Sequence, residues 1–142
     1  MELMAILGEY MRQVIINKIK NAHTQQIALQ EAHIVDKELH DILHLIHQSK
    51  PNIDSILLSN NKISDEGAII LSQELYHFKN LKTIDLQFNQ IGKKGMIALM
   101  TLQANQPNLL IALHGNKIRD EGEMEEIKIA ATKSSLSFSN RR

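Results

Sequence analysis

Residues 81–95 read LKTIDLQFNQIGKKG, and a matching segment about 28 residues earlier, at 53–67, reads IDSILLSNNKISDEG. In both segments aliphatic residues alternate with polar ones, an asparagine follows at Asn89 or Asn61, and a glycine comes later at Gly95 or Gly67. Alternation with a period of two predicts a strand with one buried face. Recurrence of the whole pattern predicts a repeat protein.

A third copy reads NLLIALHGNKIRDEG at 108–122, with Asn116 and Gly122 at the two marked positions. A weaker copy precedes the other three. It has Ala32 in place of the asparagine and Glu38 in place of the glycine, and its aliphatic positions are Ile27, Leu29, Ile34, Leu39, Ile42 and Ile46. Behind the glycines, aliphatic residues follow at helical spacing, as in Leu71 and Leu75. Each unit is therefore predicted to be a strand, a turn and a helix.

These residues resemble leucine-rich repeats of the ribonuclease-inhibitor type over residues 27–133, which holds about four units. The resemblance implies an α/β solenoid of right-handed strand-turn-helix repeats, with a curved parallel sheet on the concave side and helices on the convex side. Two sets of residues are expected to be structural. The asparagines, which would satisfy backbone groups of the turns, are Asn61, Asn89 and Asn116. The glycines, which would allow a tight entry into each helix, are Gly67, Gly95 and Gly122.

The two ends of the chain differ from the repeats. Residues 1–26 are predicted to cap the first repeat with an amphipathic helix over 2–20, because the outer face of a terminal repeat would otherwise expose core. Residues 134–142 are rich in serine and are predicted to form a flexible tail. The last strand, near Leu110 to His114, carries no Asp, Glu, Lys, Arg or Pro, so weak self-association through its free edge is a further prediction.

Composition limits the function. Lys+Arg and Asp+Glu both number 16, so no net charge attracts the chain to nucleic acid or to an anionic membrane. No segment approaches the ~20 apolar residues that span a bilayer. Residues 1–8 contain no Lys or Arg and give no conventional secretory signal, so the chain is expected to be cytoplasmic on synthesis. We expect no cofactor.

Motifs for catalysis are not found in the sequence. The segment Gly92 to Gly95 belongs to the repeat and is not read as a phosphate-binding loop. One group could hold a metal ion, because it would share a face of one helix: Asp36, His40, His44 and His47. Since the aliphatic stripe of that helix lies elsewhere, we interpret the group as a solvated polar face without a bound metal. The chain is expected not to be an enzyme.

A protein-binding surface is the expected product of the repeats. Strand residues that alternate with the buried ones point to the concave side. The predicted face comprises Gln26, Ala28, Gln30, Ser55, Leu57, Ser59, Thr83, Asp85, Gln87, Phe88, Leu110, Ala112 and His114. The expected partner is another protein.

The C-terminal residues suggest a finer function. Glutamates at 121, 123, 125 and 126, followed by small and hydroxyl residues, resemble the acidic translocation signal of type IV-secreted effectors of intracellular bacteria, which often carry such repeats. The resemblance implies delivery into a host cell and a host protein as partner. Two alternatives are a regulator of a small GTPase, in which Arg119 is the one arginine in a turn between elements, and a structural fragment of a larger repeat protein.

Overall fold

The computed structural model describes the backbone of residues 12–140 and the side chains of residues 12–135. Within this range, helix α1 occupies residues 12–20, and residues 2–11 of the predicted cap lie outside the described residues. The strands are β1 (Gln26–Ala28), β2 (Ser55–Leu57), β3 (Thr83–Asp85) and β4 (Leu110–Ala112). The further helices are α2 (Leu39–Ser49), α3 (Asp65–Glu74), α4 (Lys93–Asn105) and α5 (Glu121–Asn140). Short 3-10 turns precede α2 at Asp36–Glu38 and follow α3 at Leu75–His77.

The strands form one parallel sheet in chain order, with a helix after each strand. The strands are paired in register, and the central residue of each is buried while the residues on either side of it are not. These central residues are Ile27, Ile56, Ile84 and Ile111. This arrangement confirms the predicted α/β solenoid.

The aliphatic positions of all four repeats join in one hydrophobic core. In the weak first copy, every aliphatic residue from Ile27 to Ile46 named in the pattern is buried. On the outer side of that copy, Ile15 and Ile19 of α1 are buried in the same core. The first repeat therefore packs like the others, although it lacks the asparagine and the glycine.

Each asparagine of the pattern connects the turns of two neighbouring repeats. The amide nitrogen of Asn89 donates to the carbonyl of Leu86 in its own repeat at 3.1 Å and to that of Leu58 in the preceding one at 3.0 Å. Its amide oxygen accepts from the backbone N–H of Ile63 at 3.1 Å. The side chain thus pairs buried backbone groups that the parallel ladder leaves without partners.

Asn61 and Asn116 repeat this arrangement at the two ends of the stack. Asn61 donates to Leu29 and Leu58 and accepts from the backbone N–H groups of Ala32 and Ile34. The side chain of Asn61 therefore pairs the backbone groups of the turn in the first repeat, so that turn needs no asparagine of its own at position 32. Asn116 donates to Leu86 and Leu113 and accepts from Ile91.

Aspartates form a second set of connections between repeats, which the sequence did not predict. Asp36 accepts from the backbone N–H of Ser64 at 2.8 Å, and the Ser64 hydroxyl donates to the same carboxylate. One repeat later, Asp65 accepts from the N–H groups of Gly92 at 2.7 Å and Gly95 at 3.0 Å. Each carboxylate thus satisfies free N–H groups at the start of the next helix, where negative charge is favourable.

The two aspartates explain why glycine occupies positions 67 and 95 better than the predicted tight turn does. A Cβ on Gly95 would lie 2.8 Å from the Asp65 carboxylate and 2.7 Å from Ile91, and a Cβ on Gly67 would meet Asp36. Gly122 differs, because a Cβ there would meet only the Asp120 carboxylate, at 3.3 Å. The crowding is therefore weaker at Gly122 than at Gly67 and Gly95, since no aspartate of the preceding repeat reaches it.

Helix α5 extends past the predicted boundary at residue 133. It continues to Asn140, so the backbone of residues 134–140, which were predicted to belong to a flexible tail, is helical. No proline or glycine follows Gly122, and nothing in the sequence therefore stops the helix. Residues 141–142 lie outside the described residues.

The two glycine environments predict opposite effects of the same substitution. Gly95→Ala is expected to lower the free energy of unfolding by about 1–3 kcal/mol, because the added methyl overpacks the contact with Asp65 and Ile91. Gly122→Ala is expected to leave it unchanged or raise it by up to about 1 kcal/mol, because alanine favours helix. Urea unfolding of both variants measures the difference. Equal losses in the two variants would contradict the explanation.

Candidate protein-binding face

The concave side of the sheet carries two rows of side chains that run across the strands. The strand register places Gln26, Ser55, Thr83 and Leu110 in the first row and Ala28, Leu57, Asp85 and Ala112 in the second. None of these side chains is buried, and Leu110 is 61% exposed. The structure therefore brings the predicted strand residues together on one surface.

A third row follows where the chain leaves the sheet. It consists of Gln30, Ser59, Gln87 and His114, all at least partly exposed. The next residue in each repeat has a positive φ, with values of 53° at Glu31, 57° at Asn60, 56° at Phe88 and 79° at Gly115. These left-handed residues turn the chain away from the sheet, so the Phe88 side chain lies at the rim of the face rather than on the strands.

The face is mostly neutral. Asp85 is the one carboxylate in the three rows, and its Oδ1 atom accepts from the backbone N–H of Gln87 at 3.0 Å and from its side-chain amide at 3.1 Å. His114 packs edge-on against Phe88 with ring centroids 5.6 Å apart. Since both titratable groups have partners within the chain, the face is suited to contact with a neutral or apolar surface.

Comparisons with known proteins agree with this architecture. A family model described as a leucine-rich repeat matches residues 52–72 and 79–100. The fold is a leucine-rich-repeat solenoid. The solved structure of leiomodin-1 actin-binding site 2 is similar, with a TM-score of 0.61 at 12% identity, and the match covers 91% of this chain and 92% of that chain. No curated protein matches the sequence significantly. The ribonuclease-inhibitor type stays a prediction.

On the convex side, the histidines of this leucine-rich-repeat chain have partners that the sequence did not indicate. His40, His44 and His47 line a groove with residues of the α3 region, where His40 contacts the Glu74 carboxylate. His47 packs edge-on against His77, with centroids 6.0 Å apart, and against Phe78. Asp36 is not part of the group, because it binds Ser64. In residues 12–140, no three His, Asp or Glu side chains are placed to hold a metal ion.

Arg119 and two of the glutamates near the C-terminus also have contacts within the fold. The Arg119 backbone N–H and guanidinium both donate to Glu123 at 2.9 Å, which lowers the pKa of Glu123. Lys93 forms an ion pair of 2.6 Å with Glu126. Two of the four glutamates in the proposed translocation signal therefore contribute to the start of α5. Within the described part of the chain, no helix is long and apolar enough to cross a membrane.

The groove between α2 and α3 predicts a pH dependence. The hydrogen bond to Glu74, and then its charge, raise the pKa of His40 above the ordinary value of 6.5. The contact therefore contributes fully below pH 6.5 and is lost as the pH rises through the raised pKa. Glu74→Gln should return the His40 pKa toward 6.5, as measured by NMR titration, whereas Glu66→Gln on the same helix should not change it. A His40 pKa that is the same in the wild type and Glu74→Gln would contradict the contact.

Proposed function

We propose that this chain is a protein-interaction module whose partner binds the concave side of the solenoid. The observation that carries the proposal is the alignment of exposed, mostly neutral side chains in rows across four paired strands. The core lies on the opposite side of the sheet, so these side chains are not needed to fill it. A surface that packing does not determine is free to be shaped by a partner.

The similar solved structure supports a protein as the class of partner. That structure is actin-binding site 2 of leiomodin-1, and the match extends over most of both chains. At 12% identity the likeness supports the fold and not a shared partner. Because the similar structure is an actin-binding site, purified actin is one protein to include in a binding assay, beside partners captured from a lysate.

Binding agrees better with the groups on the face than catalysis does. Asp85 is hydrogen-bonded to Gln87, and the ring of His114 packs edge-on against Phe88. A nucleophile and a general base need to lie within hydrogen-bond distance of each other. The contacts of Asp85 and His114 with these other residues do not supply such a pair.

The finer proposal is that the module is an effector delivered into a host cell. It rests on the resemblance of residues 121–142 to an acidic translocation signal. Because Glu123 and Glu126 make contacts in α5, Glu125 is a better position for a test. Glu125→Gln should reduce delivery of a reporter fusion by a bacterium with a type IV secretion system, without changing the melting temperature. The GTPase regulator has less support, since Arg119 is engaged with Glu123.

Leu57 provides the sharpest test of the concave face. It lies on β2 in the second row and is partly exposed, so Leu57→Glu should weaken partner binding at least about tenfold by desolvating a charge in the interface. Gln73→Glu, which adds the same charge at an exposed position of α3, should bind as the wild type does. Surface plasmon resonance with the captured partner measures both.

Circular dichroism and the melting temperature of the two variants show whether either change acts through folding. Loss of binding in Gln73→Glu with retention in Leu57→Glu would place the site on the convex side and contradict the proposal.

A further inference from the structure

Phe88 occupies a backbone conformation that its side chain does not favour. The equivalent positions of the other repeats, all with positive φ, hold Glu31, Asn60 and Gly115. Glycine and asparagine adopt this left-handed region readily, whereas a bulky residue there is an outlier. Nothing in the backbone of the third repeat therefore calls for phenylalanine.

Burial of the Phe88 ring is incomplete. Phe88 is 50% exposed, although the chain offers a continuous core to aromatic side chains such as Phe78, which is 4% exposed. The neighbouring repeat accommodates the ring at Gly115, where a Cβ would lie within 2.7 Å of the ring atom Cε1. Phe88 thus departs from what its backbone conformation favours, and such departures concentrate at functional sites.

The turns on either side of the one that holds Phe88 carry basic residues. We define the turn rim as residues 59–62, 87–90 and 114–117, which follow β2, β3 and β4. The rim contains no Asp or Glu, and it exposes Lys62, Lys117 and His114. Among the described residues, neither lysine forms an ion pair. The rim therefore combines an exposed aromatic ring with one exposed lysine in each of the two flanking turns.

We propose that the turn rim binds an acidic segment of the partner, with Phe88 as the apolar anchor. An apolar side chain of that segment packs on the Phe88 ring, and carboxylates beside it pair with Lys62 and Lys117. An exposed aromatic residue in a pre-formed backbone loses little entropy on binding, and opposite charges around it orient the segment. The inference rests on the proposed function, because it assigns the partner chemistry at one end of the concave face.

A displayed library of random peptides tests the proposal without knowledge of the natural partner. Peptides selected on the wild-type chain are expected to be enriched in Asp and Glu next to an apolar residue. Binding of the selected peptides is then measured to three variants: Phe88→Asn, Lys62→Glu with Lys117→Glu, and the control Lys79→Glu with Lys128→Glu. The control makes the same change in net charge at exposed positions outside the rim.

Phe88→Asn should bind the selected peptides at least about tenfold more weakly, as anchor residues do. Its melting temperature should equal or exceed that of the wild type, because asparagine fits a positive φ. The rim charge reversal should also lose about tenfold or more, and the loss should shrink at high salt, while the control should stay within about twofold.

Three results would overturn the inference. Phe88→Asn could bind within about twofold of the wild type, the selected peptides could lack acidic residues, or selection could yield no peptide that prefers the wild type to Phe88→Asn. If Leu57→Glu loses the peptides while Phe88→Asn keeps them, the rim proposal fails and the concave binding face stands.

Discussion

The asparagine side chains hold neighbouring repeats together, and the rest of the structure depends on them. Asn89 joins the carbonyls of Leu58 and Leu86 and also accepts from the N–H of Ile63. Removing the side chain that pairs these groups should cost about 1–3 kcal/mol. Because each amide spans two turns, it fixes the register between them. Register in turn decides which side chains form rows on the concave face.

The aspartate connections add a coupled constraint on the convex side. Asp65 reaches the start of α4 only because Gly95 has no Cβ, and Asp36 has the same relation to Gly67. In the third repeat Lys93 occupies the corresponding position and pairs with Glu126 of α5 instead. Between the last two repeats an exposed ion pair thus replaces the aspartate hydrogen bonds, and Gly122 is less crowded than Gly95. Exposed ion pairs contribute little, so the C-terminal repeat is held mainly by its apolar contacts and by the hydrogen bonds of Asn116.

Much of the fold could be predicted from the sequence, because period-two and helical spacing act within one repeat. The buried positions of the weak first copy follow from this pattern even though Ala32 and Glu38 depart from it. Contacts between repeats could not be predicted in the same way. The assignment of Asp36 to a histidine group was wrong, since its partner, Ser64, lies in the next repeat. Glu74 and His77 complete the histidine groove for the same reason.

In the candidate site, too, features within one repeat could be predicted and features that depend on two repeats could not. Alternation along the strands predicted which side chains point to the concave side, but it carries no information on backbone angles. The positive φ of Phe88 and its contact with Gly115 depend on how the turns of two repeats stack. Likewise, α5 is long because no proline or glycine after Gly122 ends it. The serine-rich composition of residues 134–142 had instead suggested a flexible tail.

The free energy of unfolding of Asn89→Ala tests the central claim most directly. The substitution removes the side chain that joins the second and third repeats while leaving the apolar core intact. Urea unfolding should show a loss of about 1–3 kcal/mol relative to the wild type. The exposed Asn108, changed to alanine, should give a much smaller effect. An unfolding free energy of Asn89→Ala equal to that of the wild type would contradict the account.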